Sequence, residues 1–218
     1  MYKHPMISIL IPIYNGIEFI EESVGSVLTQ TFGNWELIIG VNGHEKNSDV
    51  YKTAKLQEEK SNKIRVFDFY EINGKANTLN VMIKYCNGRY VALLDVDDIW
   101  VKDKLMKQAP YVNIYDVIGS QCVYFGDREG TIPSIPLDDI GELDFRKANP
   151  IINSSAIIRK DLCHWNENGI EDYDLWLRLR EQNKRFYNYP EVLVMHRLHD
   201  KSAFNSKGHE KQLERLFA

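Results

Sequence analysis

The sequence predicts an α/β fold: a mostly parallel sheet flanked by helices, followed by an irregular C-terminal third. Three observations carry that reading. Short apolar runs alternate with helix-period segments through the first half, as in successive βαβ units. Each run stops at a turn or polar signal, such as Asn15-Gly16, Asn42-Gly43 or Asp95. At 218 residues the chain is long enough for one full-sized core, so a single domain is expected.

The elements follow in order. ISILIPI (7–13) reads as a buried strand because it is dense in β-branched residues. A helix over about 18–29 places Ile20, Val24, Val27 and Leu28 on one stripe. WELIIGV (35–41) is a second strand, a polar helix covers roughly 48–60, and IRVFDFY (64–70) is a third strand. The stretch 74–85 reads as a helix with Leu79, Met82 and Ile83 inward, and VALLD (91–95) is the fourth strand. Beyond it, DVIGSQCVYFG (116–126) and SSAIIR (154–159) suit strands, and EDYDLWLRLREQ (171–182) is an amphipathic helix. Residues 127–150 are rich in turn formers and take no assignment. No repeat or low-complexity segment appears.

The composition, 44% hydrophobic and 27% charged, is that of an ordinary globular protein. A net charge of −4 argues against a nucleic-acid binder, which needs a basic face. The three cysteines, Cys86, Cys122 and Cys163, form no CxxC pair and no zinc spacing, which fits a reducing, cytoplasmic setting. MISILIPI, the longest N-terminal apolar stretch, is too short to span a membrane and lacks a signal-peptide layout.

In a parallel sheet, ligands bind beyond the carboxyl ends of the strands. That rule groups Tyr14-Asn15, Asn42-Gly43 and Asp95-Val96-Asp97-Asp98 around one crevice. Asp95 and Asp97 are two apart and can converge on one point. Carboxylates this close repel unless a positive charge lies between them, and such hard oxygen ligands suit Mg²⁺ or Mn²⁺ shared with substrate phosphates. A solvated turn or a helix N-cap accounts for the same residues equally well. A DxD after an apolar strand also resembles the haloacid-dehalogenase-like phosphatases. Those proteins carry it on their first strand, and Ile99 replaces their Thr or Val. Asp172 stands at a helix start, where capping is the ordinary role of Asp. His196 and His199 lie three apart with no second ligand pair, so zinc is not expected. Trp100 and Trp176 read as core, although Trp176 next to Asp172 could stack on a sugar. A solvent-exposed helix start is the plain reading of Lys75, and packing that of Tyr14.

Six segments in order, ISILIPIYNG (7–16), SVLTQTFGNWELII (26–39), GKANTLN (74–80), GRYVALLDVDDIWVKDKL (88–105), EDYDLWLRL (171–179) and RLHDKS (197–202), resemble the family 2 glycosyltransferases of the GT-A fold. The spacing runs from residue 7 to about 105 and resumes from about 149 to 202. The resemblance implies one catalytic domain, with a nucleotide-sugar half (1–105) and an acceptor half (106–218). It implies inverting transfer of a sugar from a nucleotide diphosphate, with UDP first, to a glycan or other hydroxyl acceptor. Pro12 and Tyr14 would line the base, and Lys75 would approach the diphosphate or sugar. Asp95 would hold the ribose, and Asp97 would ligate Mn²⁺ or Mg²⁺. Asp98 would share that task or bind the sugar, His199 would approach the metal or diphosphate, and Asp172 would be the general base. Asn15, Asn80 and Val96 join the donor side on the same match. One departure stands out: the family's Asp-Asp-Gly-Ser after the second strand is Val41-Asn42-Gly43-His44 here. The Asn42 carbonyl can still accept a uracil imide N–H but supplies no charge. A nucleotidyltransferase or phosphotransferase on a similar sheet, and a non-catalytic nucleotide-sugar-binding module, are the competing functions.

Overall fold

The computed structural model describes residues 6–127, 129–167 and 170–199. β1 (Ile7–Ile13), β2 (Trp35–Asn42), β3 (Ile64–Phe69) and β4 (Tyr90–Leu93) pair in parallel in the order β3-β2-β1-β4. The connecting helices are α1 (Ile20–Leu28), α2 (Asp49–Lys55) and α3 (Lys75–Met82), and α4 (Lys104–Gln108) follows β4 further along the chain. Every residue of β2 is buried, as a sheet covered on both faces requires. Alternation divides the core. Ile9, Ile11, Leu37 and Ile39 face Val24 and Val27 of α1, while Leu10 and Ile38 face Leu79 and Met82 of α3.

The second half of the sheet is mixed. β8 (Ile157–Arg159) is antiparallel to β4, and β6 (Val117–Gly126) is antiparallel to β8. β9 (Phe186–Leu198) then runs parallel to β6, with the short β5 (Ile99–Trp100) and β7 (Asp138–Asp139) antiparallel to it. Two antiparallel steps leave β6 and β9 running in the same direction as β4. β9 therefore delivers residues 196–199 to the edge where β1, β2 and β4 end.

The helices expected over 18–29, 48–60 and 74–85 form, each with a 3₁₀ turn at one end. The strand expected over 154–159 is shorter, because 153–155 is a 3₁₀ turn. The thirteen-residue β9 has no counterpart in the sequence reading. Pro190 concealed it, since proline breaks a strand ladder. The structure resolves the conflict with a bulge: the register passes from Ser120–Tyr189 to Gln121–Val192, so Pro190 needs no ladder hydrogen bond. The turn-rich 127–150 stretch is pinned by buried Ile140 and Phe145 beneath α5 (Glu171–Glu181). Trp100 and Trp176 are both core residues, 3% and 0% exposed, so Trp176 offers no face to a sugar.

Candidate active site

The crevice has an aromatic wall where β1 and β2 end. Tyr14 is 56% exposed, and its ring lies 5.3 Å from that of His44, whose Nε2 contacts the Tyr14 carbonyl. The approach depends on Gly43: at its φ of +71°, a Cβ would lie 2.9 Å from the Tyr14 ring. Asn42 is buried at the foot of this wall, with Pro12 half-buried and Asn15 exposed beside it. The four residues thus lie together at the carboxyl ends of β1 and β2.

Asp95 is the hub of the crevice. Its Oδ1 accepts from Lys75 Nζ at 2.7 Å, its Oδ2 from Asn153 at 3.0 Å, and its backbone N–H donates to Ser154 Oγ. Lys75 opens α3 directly after Gly74, and its ammonium also lies 3.3 Å from Glu171 at the start of α5. One lysine thereby joins the two halves of the chain. Burial alone would depress its pKa, but Asp95 and Glu171 outweigh that and hold it above the ordinary lysine value. Conversely, Lys75 and Asn153 overcome burial at Asp95 and keep its carboxyl below the usual range.

Asp98 departs from expectation. It is fully buried, its Oδ1 accepts the Arg197 backbone N–H at 2.8 Å, and its Oδ2 pairs with His196 Nδ1 at 3.0 Å. Both oxygens are thus committed to β9 and turned away from solvent, so Asp98 anchors a strand rather than a metal or sugar. Burial would lower the His196 pKa, but Asp98, then Asp95 and Asp97, lift it to about 9. Because this lies above the ordinary 6.5, protonated His196 favours the folded state. That contribution is complete below pH 6.5 and is lost as the pH rises through 9. The melting temperature is therefore expected to fall over this window. The loss approaches about 3 kcal/mol, or several degrees, and is readable by thermal denaturation.

Asp97 points the other way. Its Oδ2 contacts His199 Nε2 at 3.0 Å, and the residue is only partly covered. Burial, then Asp98 and Asp95, push its pKa upward, so this position carries more negative charge than its surroundings neutralise. Among the described residues, no group of three His, Cys, Asp or Glu side chains is arranged to hold a metal alone. The donor set still fits Mg²⁺ or Mn²⁺, which bind through one or two protein ligands and complete their shell with phosphate oxygens and water. Asp97 and His199 would be those ligands.

Asp172 lies in the first turn of α5, two residues past the N-cap position, which is Ile170. Its Oδ2 accepts from Asn149 Nδ2 at 3.1 Å. Burial and then Glu171 raise its pKa to about 6 against the pull of Lys75 and Asn149, which suits a base working near neutrality. Asp174 is a helix ion-pair residue, 2.7 Å from Arg178.

Two expected donor residues are used elsewhere. Asn80 spends its amide on the Trp165 backbone, donating to the carbonyl at 2.7 Å and accepting the N–H at 3.0 Å. That latches α3 to the 163–165 segment. Val96 is buried, with its Cγ1 where a Cβ added at Gly16 would lie 2.9 Å away, so it offers no side chain to a donor. The sequence gives no role to Asn149, Asn153, Ser154 and Arg197 and offers His196 only as a zinc ligand, yet these residues orient the expected carboxylates. Asn149, Asn153 and Ser154 lie in or beside the unassigned region, and His196 and Arg197 gain meaning only once β9 lies beside β5.

The chain is similar to known proteins over most of its length. The family description "Glycosyl transferase family 2" matches residues 8–165. WbnJ, an O-antigen biosynthesis glycosyltransferase of Escherichia coli, is 27% identical over 92% of this chain and 83% of its own. TuaG of Bacillus subtilis, a putative teichuronic acid biosynthesis glycosyltransferase, is 38% identical over 50% of this chain and 42% of its own length. In fold, the chain resembles S. aureus TarS 1-349, solved with UDP-GlcNAc, with a TM-score of 0.74 at 19% identity, over 92% of this chain and 61% of that one. It also resembles the mannosyltransferase PcManGT of Pyrobaculum calidifontis, solved with GDP-Man and Mn²⁺, with a TM-score of 0.71 at 15% identity, over 91% of this chain and 59% of that one. The chain thus spans about three fifths of these solved structures. Among the described residues, no helix is long and apolar enough to cross a membrane. With the family match covering residues 8–165, well over half of its length, the chain belongs to glycosyl transferase family 2.

Proposed function

We propose that this glycosyltransferase moves a sugar, with inversion, from a UDP-sugar to an acceptor hydroxyl, with Asp172 as general base. The carrying observation is Lys75, which ties Asp95 at the end of β4 to Glu171, the immediate neighbour of Asp172. Donor-side and base-side carboxylates thereby share one crevice. Residues 1–105 supply its donor half, and 106–218 its acceptor half.

In this reading, Tyr14 and Pro12 flank the base, and the Asn42 carbonyl accepts the uracil imide N–H. Asp95 accepts from the ribose hydroxyls. Asp97 and His199 would hold a divalent ion, which when bound would supply Lewis-acid stabilisation of the leaving oxygens. Lys75, held protonated, adds a fixed positive charge in the same crevice. The acceptor oxygen attacks the anomeric carbon on the face opposite the diphosphate. The bond to the leaving phosphate oxygen breaks, and its electron pair goes to that oxygen. The acceptor proton passes to Asp172, most simply to Oδ1, because Asn149 holds Oδ2. The UDP-bound and GDP-Man/Mn²⁺-bound relatives in fold support a nucleotide-sugar donor and a metal.

Incubation with a panel of UDP-sugars, a mixed glycan acceptor set and Mn²⁺ tests the reaction. Release of UDP with a β-linked product from an α-linked donor is expected. Pyrophosphate release from a nucleoside triphosphate would instead identify a nucleotidyltransferase.

A further inference from the structure

Arg197 takes no part in the chemistry above, yet it is an enclosed cation at the crevice edge. Its side chain is 14% exposed, between Phe19 and Phe125, with the guanidinium carbon 4.3 Å from each ring centroid. Nε donates to the Asp97 carbonyl at 2.9 Å, and one terminal nitrogen lies 2.9 Å from Glu22 of α1. Its own backbone N–H donates to Asp98. Phe19, which forms one side of this sandwich, also faces the His199 ring at 5.5 Å. The close join of β6 to β9 is built in too: at Gly126, φ +86°, a Cβ would lie 2.5 Å from the Leu198 carbonyl.

These contacts reach both proposed metal ligands, Asp97 at its backbone carbonyl and His199 through the Phe19 ring. The planar guanidinium fixes the Asp97 backbone from one side, and through Phe19 it sets the surface on which His199 rests. Lysine cannot reproduce this: an ammonium has neither a flat face for two rings nor a fork that reaches the Asp97 carbonyl and Glu22 together. We infer that Arg197 is a positioning residue that aligns Asp97 and His199 for metal-dependent donor binding, an inference that rests on the donor-site reading above.

UDP titration calorimetry on the full chain, with and without Mn²⁺, tests it. Arg197→Lys is expected to weaken UDP binding about tenfold in Mn²⁺, as loss of an outer-shell partner does, while binding without Mn²⁺ stays near the wild-type value. Equal affinity for the two proteins in Mn²⁺, or an equal loss in both arms, overturns the inference, since a merely structural residue would not act through the metal. Should Arg197→Lys fail to fold, Phe125→Leu removes one side of the sandwich and is expected to show the same Mn²⁺-specific weakening. An unchanged Phe125→Leu affinity overturns it as well. Wild-type protein that binds no UDP in either arm overturns the donor-site reading and the inference with it.

Discussion

Asp172→Asn is expected to lower turnover by about 10²-fold or more while leaving UDP affinity intact, because general-base help is lost and no donor contact changes. Asparagine can still accept the Asn149 hydrogen bond, so local geometry is kept. The wild-type rate should also carry an acid limb: Asp172 works only when deprotonated, so kcat/KM falls as the pH drops through about 6. The variant should lack that limb. Stability should move in the opposite direction to activity. A folded pKa of about 6, against an ordinary 3.8, means that ionised Asp172 destabilises the native state at neutral pH. Relieving this is worth at most about 3 kcal/mol, so Asp172→Asn is expected to melt higher than wild type at pH 7 and to lose that advantage near pH 4. A pH–rate profile beside a pair of melting curves checks both.

Asp97→Asn should be the more damaging change, on the order of 10³-fold in turnover, because it weakens charge stabilisation of the leaving diphosphate and donor positioning together. Chelation separates this from a folding defect. EDTA is expected to bring wild-type turnover down to the level of the variant and to leave the variant unchanged. The variant should remain folded, since replacing a carboxylate whose pKa is raised by burial, Asp98 and Asp95 removes repulsion.

Much of this was legible in the residues. The first four strands and the crevice at their carboxyl ends follow from local signals: β-branched runs, Asn-Gly turns and an Asp cluster, each read within ten residues. Of the residues expected at the site, Lys75 contacts Asp95 and Glu171, the neighbour of Asp172, and Asp97 contacts His199. The errors share a cause. Asp98 and Asp97 are neighbours of identical chemistry, and only the position of β9 decides that one faces inward to His196 and the other outward. β9 itself was hidden by Pro190, whose bulge exists because β6 offers a partner on either side of it. Asn80 looked like a donor ligand because its motif does, yet its role is set by Trp165, far along the chain. Long-range pairing leaves no mark in a local window.

The central claim is that the crevice between Tyr14, Lys75 and Asp97 grips the diphosphate of a nucleotide sugar. A crystal structure with UDP and Mn²⁺ tests it directly. Electron density is expected with the uracil between Tyr14 and Asn42, the ribose on Asp95, and an ion joining Asp97 to both phosphates. UDP bound elsewhere, or the same crevice filled only by solvent at saturating UDP and Mn²⁺, would contradict it.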